Sequence, residues 1–165
     1  QVRRGDLAGA RATLARAREE ARASQSAAAL LRIDVEEGLE LLDGKQVQDA
    51  LRALQPALDR AERLGDAMLR LRAAEALARA SLKAKDTARA ERVLGQGLRL
   101  AESCGSYAGT LRLCRLLATA ARARGDERAA EQHLARAAEE LKRIQEGLPK
   151  ERALALAKWL EEDRV

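Results

Sequence analysis

The chain contains no asparagine and no phenylalanine, and its aromatic residues are Tyr107 and Trp159 alone. Single-stranded nucleic acids are gripped by stacking bases on aromatic side chains, so this scarcity argues against such partners. Basic side chains exceed acidic ones by 31 to 26, for a formal charge of +5, and most are arginine. An Ala/Arg/Leu-rich composition also follows from a GC-rich genome, so the charge adds little weight to nucleic-acid binding. Two cysteines, Cys104 and Cys114, cannot build a disulfide framework and read as reduced thiols of a cytoplasmic protein. No apolar run approaches the roughly 20 residues that a membrane helix needs. Positions 1–22 are charged throughout, unlike a secretory leader.

The usual carriers of catalysis are equally scarce. His133 is the only histidine, and a lone histidine in a helical pattern is far more often a packing or surface residue than a base. There is no glycine-rich phosphate loop after a strand, no paired Cys/His spacing and no nucleophile elbow. Neither enzymatic activity nor a metal or cofactor is expected. Asp34, Glu36, Glu37 and Glu40 form a carboxylate cluster within one expected helix; among so many arginines it reads as solvated ion pairs.

What the sequence does contain is a repeat. Ala10, Ala50, Ala90 and Ala130 stand forty residues apart, Leu14, Leu54, Leu94 and Leu134 keep the same interval, and Ala17, Ala57, Gly97 and Ala137 follow one helical turn later. A period in this range signals a solenoid, in which each unit buries its apolar face only against its neighbours. Alanine, leucine, arginine and glutamate all favour helix, so the expected fold is all-α.

Turns divide each period in two. One set comprises Arg4-Gly5-Asp6, Asp43-Gly44-Lys45, Lys83-Ala84-Lys85-Asp86 and Arg124-Gly125-Asp126, in which Asp6, Asp86 and Asp126 occupy helix N-cap positions. The other comprises Ala23-Ser24-Gln25-Ser26, Leu64-Gly65-Asp66 and Cys104-Gly105-Ser106. Two turns per period give two helices per repeat. First helices are expected at about 26–42, 67–83 and 107–123, and second helices at about 6–22, 46–63, 87–103 and 127–145. Leu148-Pro149 restarts the chain for a capping helix at about 150–162, with Leu154, Leu156, Trp159 and Leu160 on its apolar face. Pro56 should kink its helix near Ala53 without breaking it, and Gly95 and Gly97 weaken theirs by up to about 1 kcal/mol each. With no initiator methionine and a first helix lacking its partner, the chain reads as an array cut in mid-repeat from a longer protein.

These registers resemble the tetratricopeptide repeat family. Its second-helix signature of alanine, a large residue four on and alanine three later matches Ala10-Leu14-Ala17, Ala50-Leu54-Ala57 and Ala130-Leu134-Ala137, with Ala90-Leu94-Gly97 a variant. Twelve residues before each alanine the family places a small residue in the first helix, and the chain supplies Gly38, Ala78 and Ala118. The usual repeat is about 34 residues. The longer period here is similar to the forty-residue variety of kinesin light chains, cell-polarity adaptors and some large bacterial regulators. HEAT and armadillo repeats share the period but lack this register.

The resemblance implies one right-handed α-solenoid of antiparallel helix pairs over residues 1–165. It would hold a half repeat at 4–23, repeats at about 26–64, 66–104 and 106–146, and the cap at about 149–162. It also implies a concave face lined by positions two, five, nine and twelve of each repeat. Position two would be Arg32, Arg72 and Arg112, and position five Val35, Glu75 and Arg115. Position nine would be Leu39, Arg79 and Thr119, and position twelve Leu42, Leu82 and Arg122. Peptide-gripping members usually carry asparagine at position six, where this chain has Glu36, Ala76 and Leu116.

The expected function is a cytoplasmic protein–protein interaction scaffold, part of a larger bacterial signalling protein. Its arginines would hold an acidic, partly apolar segment of a partner or of the parent chain, and Leu39, Leu42 and Leu82 would receive the apolar side chains. Alternatives are that these arginines form only a solvated face, that the array binds nucleic acid, or that exposed solenoid ends self-associate. No membrane partner is expected.

Overall fold

A computed structural model describes residues 7–148 together with Arg152. Over the described residues the chain is helical, with no strand. The helices are α1 (Leu7–Ala23), α2 (Ala27–Asp43), α3 (Val47–Leu64), α4 (Ala67–Lys83), α5 (Thr87–Ser103), α6 (Tyr107–Ala123) and α7 (Glu127–Glu146). Each agrees with its expected range to within a residue or two. The cap at Asp6 lies outside the described residues, as does the final helix with Trp159, apart from helical Arg152.

A beat of twenty residues runs through the turns. The residue before each N-cap has a positive φ: Gln25 (51°), Lys45 (61°), Gly65 (70°), Lys85 (62°), Gly105 (66°) and Gly125 (82°). In five of these turns the next amide closes back onto the helix just ended, Ser26 N to Ala21 O (3.0 Å), Gln46 N to Leu41 O (2.8 Å), Asp86 N to Ser81 O (2.9 Å), Ser106 N to Ala101 O (2.8 Å) and Asp126 N to Ala121 O (2.9 Å). This is the left-handed helix stop, which satisfies carbonyls that a helix end otherwise leaves open. The same residue then caps the following helix. Ser26, Asp66, Asp86, Ser106 and Asp126 accept from first-turn amides, whereas Gln46 makes no side-chain cap bond. In the turn before α3, the glycine is not the left-handed residue: Gly44 has φ −73° and Lys45 makes the left-handed step. Helix closure sets that position, whatever residue stands there.

Pro56 lies within α3, which runs unbroken from Val47 to Leu64. Its ring is exposed and its carbonyl accepts from Arg60 Nε at 3.3 Å. Leu54, Ala57, Leu58 and Ala61 keep helical spacing on either side and are all buried, so packing holds the second half of the helix despite the lost amide.

The chain divides into two compact units, Gln1–Gly97 and Leu98–Val165, with the boundary inside α5. In the first unit α1 packs on α2, α2 on α3 and α3 on α4, and α2 also lies against α4, its counterpart one repeat on. The repeat registers form the core, since Ala50, Leu54, Ala57, Ala90 and Leu94 are wholly buried. Gly38 allows α2 to lie close against α3, because a Cβ there would stand 2.5 Å from Leu54 Cδ2. In the second unit α6 packs on α7. Leu111, Cys114 and Ala137 form one cluster with Leu98, Leu141 and Ile144, and Ala118, Ala121 and Ala130 another with Leu134.

Candidate binding surface

Helix α4 needs two faces for burial and leaves a stripe for solvent. Leu69, Leu71, Ala73, Ala74, Ala76, Leu77, Ala78, Ala80 and Ser81 are buried, while Met68, Arg72, Arg79 and Lys83 are exposed at spacings of four, seven and four. That spacing returns to the same side of a helix. Arg32, forty residues before Arg72, is exposed on α2, the helix beside α4. Arg32 and Arg79 make no ion pair with a described residue, whereas Arg72 Nη2 donates to Glu36 Oε1 of α2. Both partners of that contact are partly open, 57% for Arg72 and 39% for Glu36.

The expected apolar positions differ among themselves. Leu39 and Leu82 are half-buried, but Leu42 belongs to the core of α2 and offers a ligand no surface. Val35 is likewise buried and Glu75 half-buried. Helix α2 therefore spends Val35 and Leu42 on packing.

In the second unit Arg112 and Arg115 of α6 are half-buried and Arg122 is exposed. Arg122 Nε lies 3.4 Å from Glu127 Oε2 across the turn into α7. Helix α6 itself carries no carboxylate. His133 is half-buried on α7.

A second class of arginine, not singled out by the sequence, ties helices together. Arg18 of α1 grips Glu37 of α2 with two parallel bonds, Nε to Oε1 at 3.2 Å and Nη2 to Oε2 at 2.7 Å, and Nη2 also donates to Asp34 Oδ1 at 2.6 Å. Arg60 Nη2 of α3 approaches Asp34 Oδ2 to 2.5 Å, a charge contact without hydrogen-bond alignment. Asp34 thereby links three helices. Burial works against the Arg18 charge, but the hydrogen bond to Asp34 and the charges of Glu37 and Asp34 outweigh it, so its pKa stands above the ordinary arginine value. Paired bonds of this geometry are the strong form of arginine–carboxylate contact.

Counterpart helices of neighbouring repeats are joined in the same way. Arg72 reaches Glu36 from α4 to α2, Arg89 Nη2 reaches Gln55 Oε1 from α5 to α3 at 2.8 Å, and Arg136 reaches Glu102 from α7 to α5. Their separations of 36, 34 and 34 residues fall short of the forty-residue period by roughly one to two helical turns. The hydrogen bond to Glu102 raises the Arg136 pKa. Cys114 lies buried nearby, and desolvation raises its thiol pKa, while Cys104 is exposed.

Among the described residues no group of three or more His, Cys, Asp or Glu side chains is placed to hold a metal ion, and no helix is long and apolar enough to cross a membrane. No protein-family model matches the chain, and no curated protein is significantly similar to it.

Proposed function

We propose that the chain is a cytoplasmic interaction scaffold of the tetratricopeptide type and part of a larger bacterial signalling protein. In this reading it is a right-handed α-solenoid of antiparallel helix pairs without catalytic activity. Its concave face, lined by arginine, binds an acidic, partly apolar segment of a partner protein or of its own parent chain. One observation carries the reading: Arg32 and Arg72, forty residues apart, are both exposed on α2 and α4, two counterpart helices that lie against each other. Guanidinium groups repeated at a fixed step suit carboxylates repeated along an extended or helical segment. Arg79 extends the basic stripe of α4, and α6 carries Arg112 at the register of Arg72 together with Arg115 and Arg122.

The test is a titration with a fluorescein-labelled peptide of repeated Glu-Leu pairs, read by anisotropy at about 0.15 M salt. Wild-type protein should bind it, and Arg32→Glu/Arg79→Glu should lose at least about tenfold in affinity with an unchanged melting temperature. Equal binding by the two proteins would reject the basic face as the site. Tighter binding of generic RNA or DNA than of the peptide under the same conditions would move the assignment to nucleic acid.

A further inference from the structure

Resting on the reading above, we propose that Glu36 is a built-in competitor for the acidic ligand: it occupies Arg72 in the free protein and is displaced when a ligand carboxylate binds there. The neighbours of Glu36 on α2 have other tasks. Asp34 is held by Arg18 and Arg60, and Glu37 by Arg18, so those carboxylates face α1 and α3. Glu36 alone of the three reaches α4.

The contact is built to be exchanged. Both Arg72 and Glu36 are partly open to solvent, and an exposed ion pair gains little because water screens it and two long side chains must be ordered. A ligand that carries a second carboxylate can also engage Arg79, which follows Arg72 by two helical turns, about 10 Å along α4, and has no ion-pair partner among the described residues. Glu36 cannot make that second contact while it holds Arg72 from α2. The device also occurs at a single repeat, because the residues forty and eighty further on are Ala76 and Leu116.

The same labelled Glu-Leu peptide, titrated at about 0.1 M salt where charges more than about 10 Å apart are screened, separates the possibilities. The proteins compared are wild type, Glu36→Gln, Arg72→Gln and the double variant, each with its melting temperature recorded. Glu36→Gln is expected to bind about two- to fivefold more tightly than wild type, the fold-change that freeing one exposed ion pair corresponds to. The gain should vanish in the Arg72→Gln background, and Glu36→Ala should reproduce it. If Arg72→Gln weakens binding but Glu36→Gln changes nothing, the competitor is rejected and the basic face stands. A gain of equal size without Arg72 also rejects it, because Glu36 then acts only as a repelling charge. No binding by wild type or by Glu36→Gln would overturn the basic face itself and the competitor with it.

Discussion

Gly38→Ala sets helix propensity directly against packing. In an isolated helix the change would stabilise by about 1 kcal/mol, because glycine loses more backbone entropy than alanine. At this position the new Cβ would sit 2.5 Å from Leu54 Cδ2, 2.6 Å from Cγ and 3.3 Å from Cδ1. Leu54 is wholly buried and the blocking atoms include Cγ, the branch point rather than a mobile tip. Relief requires α2 and α3 to separate, and overpacking of this kind costs about 1–3 kcal/mol. We expect a net loss of about 1–2 kcal/mol in urea unfolding followed by helical circular dichroism. Leu54→Ala alone should cost about 2–5 kcal/mol. In that background the clash is gone, so Gly38→Ala should stabilise by about 1 kcal/mol. The sign reversal is the signature of direct contact. A stabilised Gly38→Ala single variant would refute the close approach of the two helices.

Pro56→Ala should stabilise by about 1–3 kcal/mol, since it restores an amide inside α3 and removes an exposed ring; a loss in urea unfolding would mean that the packing of α3 requires the proline. Lys85→Gly should raise the melting temperature and Gly65→Ala lower it, because both residues are left-handed and a Cβ at Gly65 meets nothing within 4 Å, which leaves a backbone cost of about 1–2 kcal/mol for the alanine. Native protein should react with iodoacetamide at Cys104 only and at both cysteines in urea, as peptide mass mapping would show. Because the Cys114 thiol titrates higher when folded, the unfolded chain releases that proton first; stability should fall as pH rises past the ordinary thiol value of about 8.5, less so in Cys114→Ala.

The helices were legible because two independent signals coincide. The apolar registers at Ala50, Leu54 and Ala57 mark one face of a helix, and the polar residues Ser26, Asp66, Asp86, Ser106 and Asp126 mark the helix starts. The left-handed positions were less visible, since lysine and glutamine fill half of them and composition does not betray them. Burial of Leu42 could not be read from its register: whether a residue at the edge of an apolar face is covered depends on how closely α2 meets its neighbours, and Gly38 allows an unusually close approach. The long-range ion pairs were hidden for a related reason. Arg18, Arg60 and Arg136 are ordinary surface arginines in the repeat pattern, and their roles depend on the offset between helices and the reach of a long side chain. A charge search at separations of 34 to 36 residues would have found Arg72 with Glu36 and Arg136 with Glu102.

This division among the arginines makes the functional question testable. Most helix ends here are closed by a left-handed turn and followed by a side-chain cap, so stacking of helices is left to apolar side chains and to arginines that bridge between elements. Arg18 is of the bridging kind: its side chain is 25% exposed, it holds two carboxylates of α2, and its removal would leave Asp34, only 13% exposed, with a single partner. Loss of binding in an Arg18 variant would therefore report on folding as much as on recognition. Arg32 and Arg79 are exposed and tie no helices together, so replacing them should change stability by no more than about 0.5 kcal/mol. An affinity change in those variants belongs to the ligand. Arg72 stands between the two kinds, because its one ion pair among the described residues is the open pair with Glu36, and removing Glu36 isolates the ligand's share without touching the arginine.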